Sequence, residues 1–173
     1  MRAYLITGNP GSGKSTVAAE LSRRGLVAVD ADDLAFWQNS AGVRVVQPPD
    51  PDDQWLLAHS WVWSRSGIEQ SIAGSRGSGA VFVCGIARNQ AEMLDLFDKV
   101  FLLVIDGATQ MARLAVSPRS ASPARSEAVR RQIRAGRCVF QAEMLGRGAI
   151  PLDATAPPEV IADSLMAHLG PAN

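Results

Sequence analysis

The stretch that decides the fold is "GNPGSGKST", which runs from Gly8 to Thr16. Gly8, Gly13, Lys14 and Ser15 fit the pattern G-x-x-x-x-G-K-S/T. In that pattern, glycines turn successive backbone N–H groups toward phosphate oxygens, and the lysine reaches the terminal phosphates. The preceding run "RAYLIT" predicts a buried strand, and the following run "STVAAELSRRG" predicts a helix. This order of elements predicts a phosphate-binding loop.

The loop implies a nucleotide ligand with its metal ion. The helix N-terminus adds partial positive charge, Lys14 contacts the terminal phosphates of ATP, and the Ser15 hydroxyl holds Mg²⁺. The predicted nucleotide-binding residues of the loop are Gly8, Asn9, Pro10, Gly11, Ser12, Gly13, Lys14, Ser15 and Thr16.

Strand-like and helix-like runs alternate along most of the chain. Further strands are predicted at "LVAVD", "AVFVCG", "KVFLLVID" and "AIPLDAT". Further helices are predicted at "NQAEMLDLF", "GATQMARLAV", "SEAVRRQIRAGRCVFQAEML" and "PPEVIADSLMAHL". The continuous apolar strands indicate burial on both faces, which is typical of parallel sheets. We therefore expect an α/β protein, a three-layer α/β/α fold with a mostly parallel central sheet, as one domain over residues 1–173.

Composition limits the classes of partner. The 17 basic and 17 acidic residues balance, so no global field attracts a nucleic acid or an anionic membrane. The first residues contain no long apolar stretch and no small-residue cleavage site, so we expect neither a signal peptide nor a membrane anchor. The two cysteines are too few for a disulfide framework. We expect a cytoplasmic protein without nucleic-acid or membrane partners, and the oligomeric state stays open.

Three carboxylates follow the second predicted strand in "VDADDL". Asp30, Asp32 and Asp33 then lie at the sheet edge where open α/β sheets bind ligands. Asp30 and Asp32 share one side of an extended chain, so we expect Asp30 to assist Ser15 at the metal and Asp32 to orient an acceptor hydroxyl. Alternatively, Asp32 or Asp33 caps a helix that starts at Leu34.

Arginines provide candidate anion ligands. Arg88 follows the third predicted strand on a glycine turn, where it can bind an anionic acceptor. The run "SPRSASPARS" interrupts two predicted helices and predicts a flap, within a lid region over residues 116–137. Arg119 and Arg125 lie in this flap, and their forked guanidinium groups suit phosphate binding. The arginines of the next helix are expected to be mostly solvated, with Arg137 the best candidate for an exception.

Residues 34–79 interrupt the alternation and are predicted to be an acceptor-binding insertion. A helix is expected from about Asp52 to Ala73, with Trp55, His59 and Trp63 on one stripe. This stripe either stacks on a planar ring of the acceptor or packs the insertion on the core. Two arginines of the insertion, Arg44 and Arg65, are candidates to bind a phosphate or carboxylate. No metal-ligand cluster accompanies His59, so it is not interpreted as a base.

The order of these pieces resembles the small P-loop metabolite kinases of the nucleoside monophosphate kinase and shikimate kinase group. The similarity rests on "GNPGSGKST", "VDADD", "CGIARNQAE" and an arginine-bearing flap, and it covers nearly the whole chain. The third piece resembles the Asp-Gly-Phe-Pro-Arg run of adenylate kinases, here Cys84 to Arg88 followed by Gln90. The resemblance implies that Arg88 contacts the acceptor. Cys84 replaces the family's acid, so a metal role must move to Asp30 or Asp32.

The tail is more similar to that of shikimate kinases, in which a lid arginine closes on the phosphates and an arginine and an aromatic residue follow. Arg125, Arg137 and Phe140 have comparable positions, whereas only Gly85 remains of the glycine triplet that holds shikimate in that family. The same resemblance implies that Arg113 stacks on adenine and that the turn around Asp153 edges the base.

Together these features predict an ATP- and Mg²⁺-dependent kinase that acts on a small metabolite such as a nucleoside monophosphate or a nucleoside. The expected catalytic residues are Lys14, Asp32, Arg88 and Arg125. A nucleotide-binding regulatory switch is an alternative, although the guanine-selective Asn-Lys-x-Asp motif is absent from the sequence. A kinase that modifies an antibiotic or a sugar nucleotide is a further alternative.

Overall fold

The computed structural model describes residues 2–75, 77, 79–116 and 127–169. The strands are β1 (Arg2–Thr7), β2 (Val27–Asp30), β3 (Ala35–Asn39), β4 (Arg44–Val45), β5 (His59–Trp63), β6 (Ala80–Cys84), β7 (Lys99–Val104) and β8 (Ile150–Asp153). The α-helices are α1 (Lys14–Arg23), α2 (Asp53–Ala58), α3 (Arg65–Gly74), α4 (Gly107–Val116), α5 (Glu127–Gly146) and α6 (Pro158–Ala167). Two further segments, Ala31–Leu34 and Gln90–Leu96, are 3-10 helices.

Five strands form a parallel sheet in the order β2-β6-β1-β7-β8. In register, Cys84 lies opposite Asp30 on one side and Ile6 on the other, and Asp153 lies opposite Val104. All five carboxyl ends therefore meet at one edge, which we call the ligand edge. The mostly parallel sheet flanked by helices confirms the predicted three-layer α/β/α fold.

Both faces of the sheet are buried, as its continuous apolar strands predicted. On one face, Tyr4 and Ile6 of β1 pack in a core cluster that includes residues of α1 and α6. On the other face, Ala3 and Leu5 pack with residues of α3 and the second 3-10 helix. A smaller cluster joins β7 to Met144 of α5. Alternate residues of one strand thus hold the two helical layers in place.

A glycine follows the end of α1, and a proline lies at the start of α6. Beyond α1, Gly25 adopts a φ of +80°, a conformation that glycine accommodates at a helix end. Helix α6 begins at Pro158, where the missing N–H costs no helical hydrogen bond. Among the described residues, no helix combines the length and apolar character needed to span a bilayer.

The insertion differs from its prediction. The single helix expected from about Asp52 to Ala73 is wrong, because the chain forms α2, then β5, then α3. Two separate N-caps mark this division: Asp52 Oδ1 accepts from Trp55 N at 2.7 Å, and Ser64 Oγ accepts from Gly67 N at 3.3 Å. Between these two helices, the alternating run "HSWVW" pairs with β3.

A second, antiparallel sheet with the order β4-β3-β5 results from this pairing. The helix predicted from Leu34 is therefore also wrong, since β3 begins at Ala35. The helix predicted at "NQAEMLDLF" forms as the 3-10 helix Gln90–Leu96.

Candidate active site

The loop between β1 and α1 depends on its glycines. Gly11 and Gly13 have φ values of +84° and +93°, which side chains with a Cβ rarely adopt. A Cβ on Gly8 would lie 2.7 Å from Ser12 Oγ and 3.0 Å from the carbonyl oxygen of Leu103. The loop closes through a hydrogen bond from Ser12 N to Asn9 O at 3.0 Å. These constraints fix the path of the backbone amides.

Polar groups inside the loop are poised for an anion. Lys14 is 9% exposed, and its Nζ donates to Gly8 O at 2.7 Å and to Asn9 O at 3.4 Å. Among the described residues, the buried atoms Ser12 Oγ and Asn9 Oδ1 have no hydrogen-bond partner. The first turn of α1 carries no acidic residue. A cation, a helix N-terminus and an unsatisfied hydroxyl donor form an anion-binding site.

The carboxylates at the end of β2 have different local roles. Asp30 Oδ1 accepts from Asp32 N at 3.0 Å and caps the 3-10 helix. The expectation that Asp32 or Asp33 caps a helix from Leu34 is therefore wrong, since the cap is Asp30. A Cβ on Gly85 would lie 3.3 Å from Asp32 Oδ1, so Asp32 lies against the end of β6.

The pKa of the Cys84 thiol depends on its burial and on the charges around it. Burial, and after it the Asp30 carboxylate, raise the pKa of Cys84 to about 12. Asp32 acts in the same direction, whereas Lys14 lowers the pKa of this thiol. These three charged groups thus surround one position of the ligand edge. Cys84 is therefore a neutral thiol at neutral pH.

The oxygen donors at this edge fit Mg²⁺. Ser15 occupies the second position of α1, and the carboxylates of Asp30 and Asp32 lie at the end of β2. In the described part of the chain, no three His, Cys, Asp or Glu residues group as metal ligands. Mg²⁺ commonly binds through one or two protein oxygens together with substrate phosphates. The hydroxyl of Ser15 and the carboxylates of Asp30 and Asp32 are oxygen donors of this kind.

A first cavity of about 260 Å³ adjoins the loop on the side of α1 and α6. Its wall includes Ser12, Gly13 and Thr16 of the loop, with Arg113 of α4 and Ala154 beyond β8. Arg113 Nη1 donates to Ala154 O at 2.9 Å and to Ser12 O at 3.5 Å. The structure thus brings Arg113 and the turn after β8 together beside the loop. We call this space the loop cavity.

Asp153 shapes that turn from outside the cavity wall. Its Oδ1 accepts from Thr155 N at 2.8 Å and from Thr155 Oγ1 at 2.7 Å. These hydrogen bonds, the one from the hydroxyl foremost, lower the pKa of the Asp153 carboxyl. Asp153 therefore lies at the turn where the sequence placed it. The contact of this turn with the edge of an adenine base stays a prediction.

A second cavity of about 800 Å³ lies between the insertion, the segment that follows β6, and α5. We call it the insertion cavity. It approaches the loop through Gln90, a lining residue that accepts a hydrogen bond from Thr7 Oγ1 at 3.0 Å. Its lining includes Trp37, His59, Trp61, Arg88, Gly136 and Phe140.

The aromatic residues of the insertion divide between the core and the wall of the insertion cavity. Trp63 is 2% exposed and packs in the core beneath the sheet. Trp37 and Trp61 line the insertion cavity, with ring centroids 5.6 Å apart and planes inclined by 56°. Trp55 stacks on His59 at 4.1 Å. The stripe predicted on one helix is therefore distributed over α2 and β5.

One arginine is free to bind an anion in the insertion cavity. Arg88 is exposed, and within the described residues its guanidinium makes no hydrogen bond or ion pair. Arg65 instead pairs with Asp95 and Glu69, and Arg44 lies 5.1 Å from the centroid of Phe36. Neither Arg65 nor Arg44 is among the residues described as lining this cavity, so the structure does not support their predicted role there.

The lid is described only from its second helix onward, because Arg119 and Arg125 lie outside the described residues. Arg137 of α5 is half-buried, and its Nη1 donates to Ile105 O at 3.1 Å. Its Nε is buried without a hydrogen-bond partner in the described ranges. Arg137 is thus tied to the ligand edge and is not a solvated residue.

Two buried glutamines were missed as positioning residues. Gln90 Oε1 accepts from Thr7 Oγ1 at 3.0 Å and from Ala87 N at 3.3 Å, which ties the start of the loop to the segment after β6. Gln110 Nε2 donates to Pro10 O at 2.9 Å and holds the loop from behind. Gln90 follows the run that resembles adenylate kinases, but that resemblance gave it no positioning role. No motif marks Gln110, although a lone amide in the apolar run "GATQMARLAV" is a weak signal of a buried polar role.

Comparisons with known proteins bear on the fold. No family model matches the chain, and no curated protein matches it in sequence. Deoxyadenosine kinase from M. mycoides, with bound dATP, is similar with a TM-score of 0.57 and 15% identity over 99% of this chain and 100% of that one. A gluconokinase from Sinorhizobium meliloti is similar with a TM-score of 0.57 and 17% identity, over 97% of this chain and 91% of that one. A sugar kinase from Janibacter sp. HTCC2649 is similar with a TM-score of 0.56 and 20% identity, over 99% of this chain and 97% of that one. The chain therefore shares the overall fold of these kinases.

Proposed function

We propose that this chain is an ATP- and Mg²⁺-dependent phosphotransferase that moves the γ-phosphoryl group to a small metabolite such as a nucleoside monophosphate or a nucleoside. The observation that carries this proposal is the pair of cavities at one ligand edge, about 260 Å³ and about 800 Å³ in volume. A kinase needs separate spaces for donor and acceptor, whereas a regulatory switch needs only the first. The structural similarity to nucleoside and sugar kinases supports a small-molecule acceptor.

In the donor half, the loop amides and Lys14 bind the terminal phosphates. Lys14 Nζ, which now donates to loop carbonyls, would donate to phosphate oxygens instead. Ser15 and Asp30 would hold Mg²⁺, which when bound neutralises charge on the phosphoryl oxygens. The nucleoside of ATP occupies the loop cavity, where the flat guanidinium of Arg113 stacks on the base. The turn at Asp153 lies along the edge of the base.

In the acceptor half, Arg88 anchors an anionic group of the acceptor in the insertion cavity. Asp32, beside Gly85, orients the attacking oxygen. An alcohol acceptor transfers its proton to the Asp32 carboxylate, whereas a phosphate acceptor already carries a nucleophilic oxygen and needs no base. Arg125, with Arg119, closes from the lid and stabilises charge on the moving group.

A phosphoryl-transfer screen tests this function. The protein is incubated with Mg·ATP and one acceptor at a time, namely a nucleoside monophosphate, a nucleoside, a hydroxy acid, a sugar or an aminoglycoside, and ADP release is measured. We expect release that depends on one acceptor class. Lys14→Ala should abolish it, whereas Lys99→Ala, which removes a surface contact to His168 O, should not.

The competing functions give different results in the same screen. A regulatory switch would release ADP at one slow rate with every acceptor and without any, and a protein partner would change that rate. Selective turnover of the aminoglycoside would instead favour an antibiotic-modifying kinase. Equal ADP release by wild type and Lys14→Ala would contradict phosphate binding by the loop.

A further inference from the structure

His59 is held in a fixed orientation at the wall of the insertion cavity. Its Nδ1 lies 2.7 Å from Trp55 O, and its ring stacks on Trp55 with 4.1 Å between centroids and 17° between planes. A carbonyl oxygen only accepts hydrogen bonds, so Nδ1 carries the hydrogen. In the neutral ring, Nε2 is then an acceptor, and it has no hydrogen-bond partner in the described part of the chain. The imidazole therefore presents one fixed acceptor atom.

The position of His59 along β5 separates it from the transfer centre. At the other end of the strand, Trp63 Cζ2 lies 2.9 Å from where a Cβ on Gly85 would be, which is at the ligand edge. Four residue steps of extended chain lead from His59 to Trp63, a span of about 13 Å. His59 is consequently too far from the ligand edge to act as a base on the attacking oxygen. It can contact only the far end of an acceptor.

The walls between these two ends suit a flat ring. Trp37 and Trp61 are directly opposed partners of β3 and β5, and both line the cavity. The facing part of α5 includes Ala135 and Gly136, which leave room between the helix and the indoles. Large aromatic faces bind planar groups by stacking, and small residues opposite them give a slot for the ring.

We propose that His59 is a specificity-determining residue, which selects a planar heterocyclic acceptor that carries an N–H or amino group at the end far from the loop. If the ligand instead had a hydrogen-bond acceptor at this position, its lone pair would face the lone pair of His59 Nε2 with no hydrogen between them. Such a ligand would bind more weakly. This inference rests on the proposed function, because it names the acceptor class of the same site.

The test compares probes that differ in one amino group. Tryptophan fluorescence is titrated, without ATP, with AMP and purine ribonucleoside monophosphate, and with CMP and the monophosphate of 2-pyrimidinone riboside. For the wild type, we expect the amino-bearing probe of at least one pair to bind about tenfold tighter, the effect of one good hydrogen bond. His59→Phe keeps the stack on Trp55 but has no acceptor, so the ratio should fall to about one. His59→Gln, which supplies an amide oxygen, should restore part of the ratio.

The other histidine of the chain provides a matched control. His168 Nδ1 lies 2.8 Å from Ser164 O, and its ring meets the edge of Phe101 at 5.4 Å. His168 thus shares with His59 the contact of Nδ1 with the carbonyl oxygen four residues earlier, but its ring is not stacked, and it is not among the residues described as lining the cavity. His168→Phe should therefore leave every probe affinity unchanged.

Several results would overturn the inference. These are an affinity ratio that His59→Phe does not change, an equal effect of His168→Phe, or failure of all four planar probes to bind. Its failure is distinguishable from failure of the proposed function, because the binding titration needs no ATP. Acceptor-dependent ADP release that requires Lys14, with an unchanged ratio in His59→Phe, would leave the kinase function standing and reject the role of His59.

Discussion

The phosphate-binding loop and the insertion are built by different means. The loop is held by contacts between near neighbours, such as Ser12 N to Asn9 O at 3.0 Å and Lys14 Nζ to Gly8 O at 2.7 Å. The insertion depends on the pairing of distant residues, since Ala35 lies opposite Trp63 across β3 and β5. A local motif therefore defines the chemistry of the donor, whereas long-range pairing defines the cavity that selects the acceptor.

The two regions should also differ in their tolerance of change. The loop is packed against β7, where a Cβ on Gly8 would lie 3.0 Å from Leu103 O. The insertion contains several exposed apolar residues, among them Val46 at 92% and Leu57 at 82% exposure. Substitutions in the loop should therefore damage binding of every donor, and substitutions in the insertion should change which acceptor is used.

The largest effect is expected for Gly8→Ala. The new methyl group would meet Ser12 Oγ, which can rotate, and also the backbone carbonyl of Leu103, which cannot move without shifting β7. The loop must then move instead, and a displacement of about 1 Å at a phosphate site can cost roughly 100-fold in rate. We expect a loss of that order in kcat/KM for ATP. Gly146→Ala, whose methyl group meets nothing within 4 Å, is the control. An unchanged kcat/KM in Gly8→Ala would contradict this account of the loop.

A smaller and more selective effect is expected for Arg88→Ala. A hydrogen bond to a charged group contributes about 1.5–3 kcal/mol, so its loss should raise the KM of an anionic acceptor about 10- to 150-fold. The KM for ATP should stay the same, because Arg88 belongs to the insertion cavity and not to the loop cavity. Steady-state kinetics with each substrate varied in turn measures both values.

Arg65→Ala is the matched control for this experiment. Arg65 is engaged by Asp95 and Glu69 and is not among the described lining of either cavity, so neither KM should change. Equal increases in both KM values for Arg88→Ala would contradict the separation of donor and acceptor spaces.

The donor half could be predicted because its signals are local. The pattern from Gly8 to Ser15 specifies backbone conformation directly, and Gly11 and Gly13 adopt the left-handed conformations that such a loop needs. The apolar runs predict parallel strands, and parallel strands bring their carboxyl ends to one edge. The location of Asp30, Asp32 and Cys84 at one edge therefore follows from the parallel order, whereas the direct pairing of Asp30 with Cys84 depends on β2 and β6 being neighbours.

The insertion could not be predicted in the same way because its spacing is ambiguous. A separation of four residues places His59 and Trp63 on one face of a helix, but it also places them on one face of a strand. The helix predicted for these two residues is wrong, and they belong to strand β5. Only the strand adds Trp61 to that face, and the choice depends on pairing with β3, which no local pattern reveals.

Gly136→Ala tests the slot in the insertion cavity and should have a modest effect. Nothing lies within 4 Å of a Cβ at this position, so the fold accommodates the methyl group. Alanine is about 1 kcal/mol better than glycine inside a helix, which should raise the Tm. The same methyl group narrows the space opposite Trp61, so acceptor affinity should fall about fivefold. Gly74→Ala on α3, also in open space but outside the described cavity lining, should leave acceptor affinity unchanged.

The smallest expected effect concerns the support behind the loop. Glu20 of α1 accepts hydrogen bonds from Arg23 and Arg24, each at 2.7 Å, and Arg24 continues to Asp163 of α6. These hydrogen bonds, the one from Arg23 first, lower the pKa of Glu20 from 4.5 to about 2. Because the folded value is the lower one, the contribution to stability is complete above pH 4.5 and is lost as the pH falls toward 2. Glu20→Gln should therefore lower the Tm by a few degrees at pH 7. The Tm values of variant and wild type should converge as the pH is lowered. Glu143→Gln, at an exposed pair on α5, should change the Tm little at any pH. A Tm difference for Glu20→Gln that stays constant from pH 7 to pH 3 would show that shape, and not charge, is what this residue contributes.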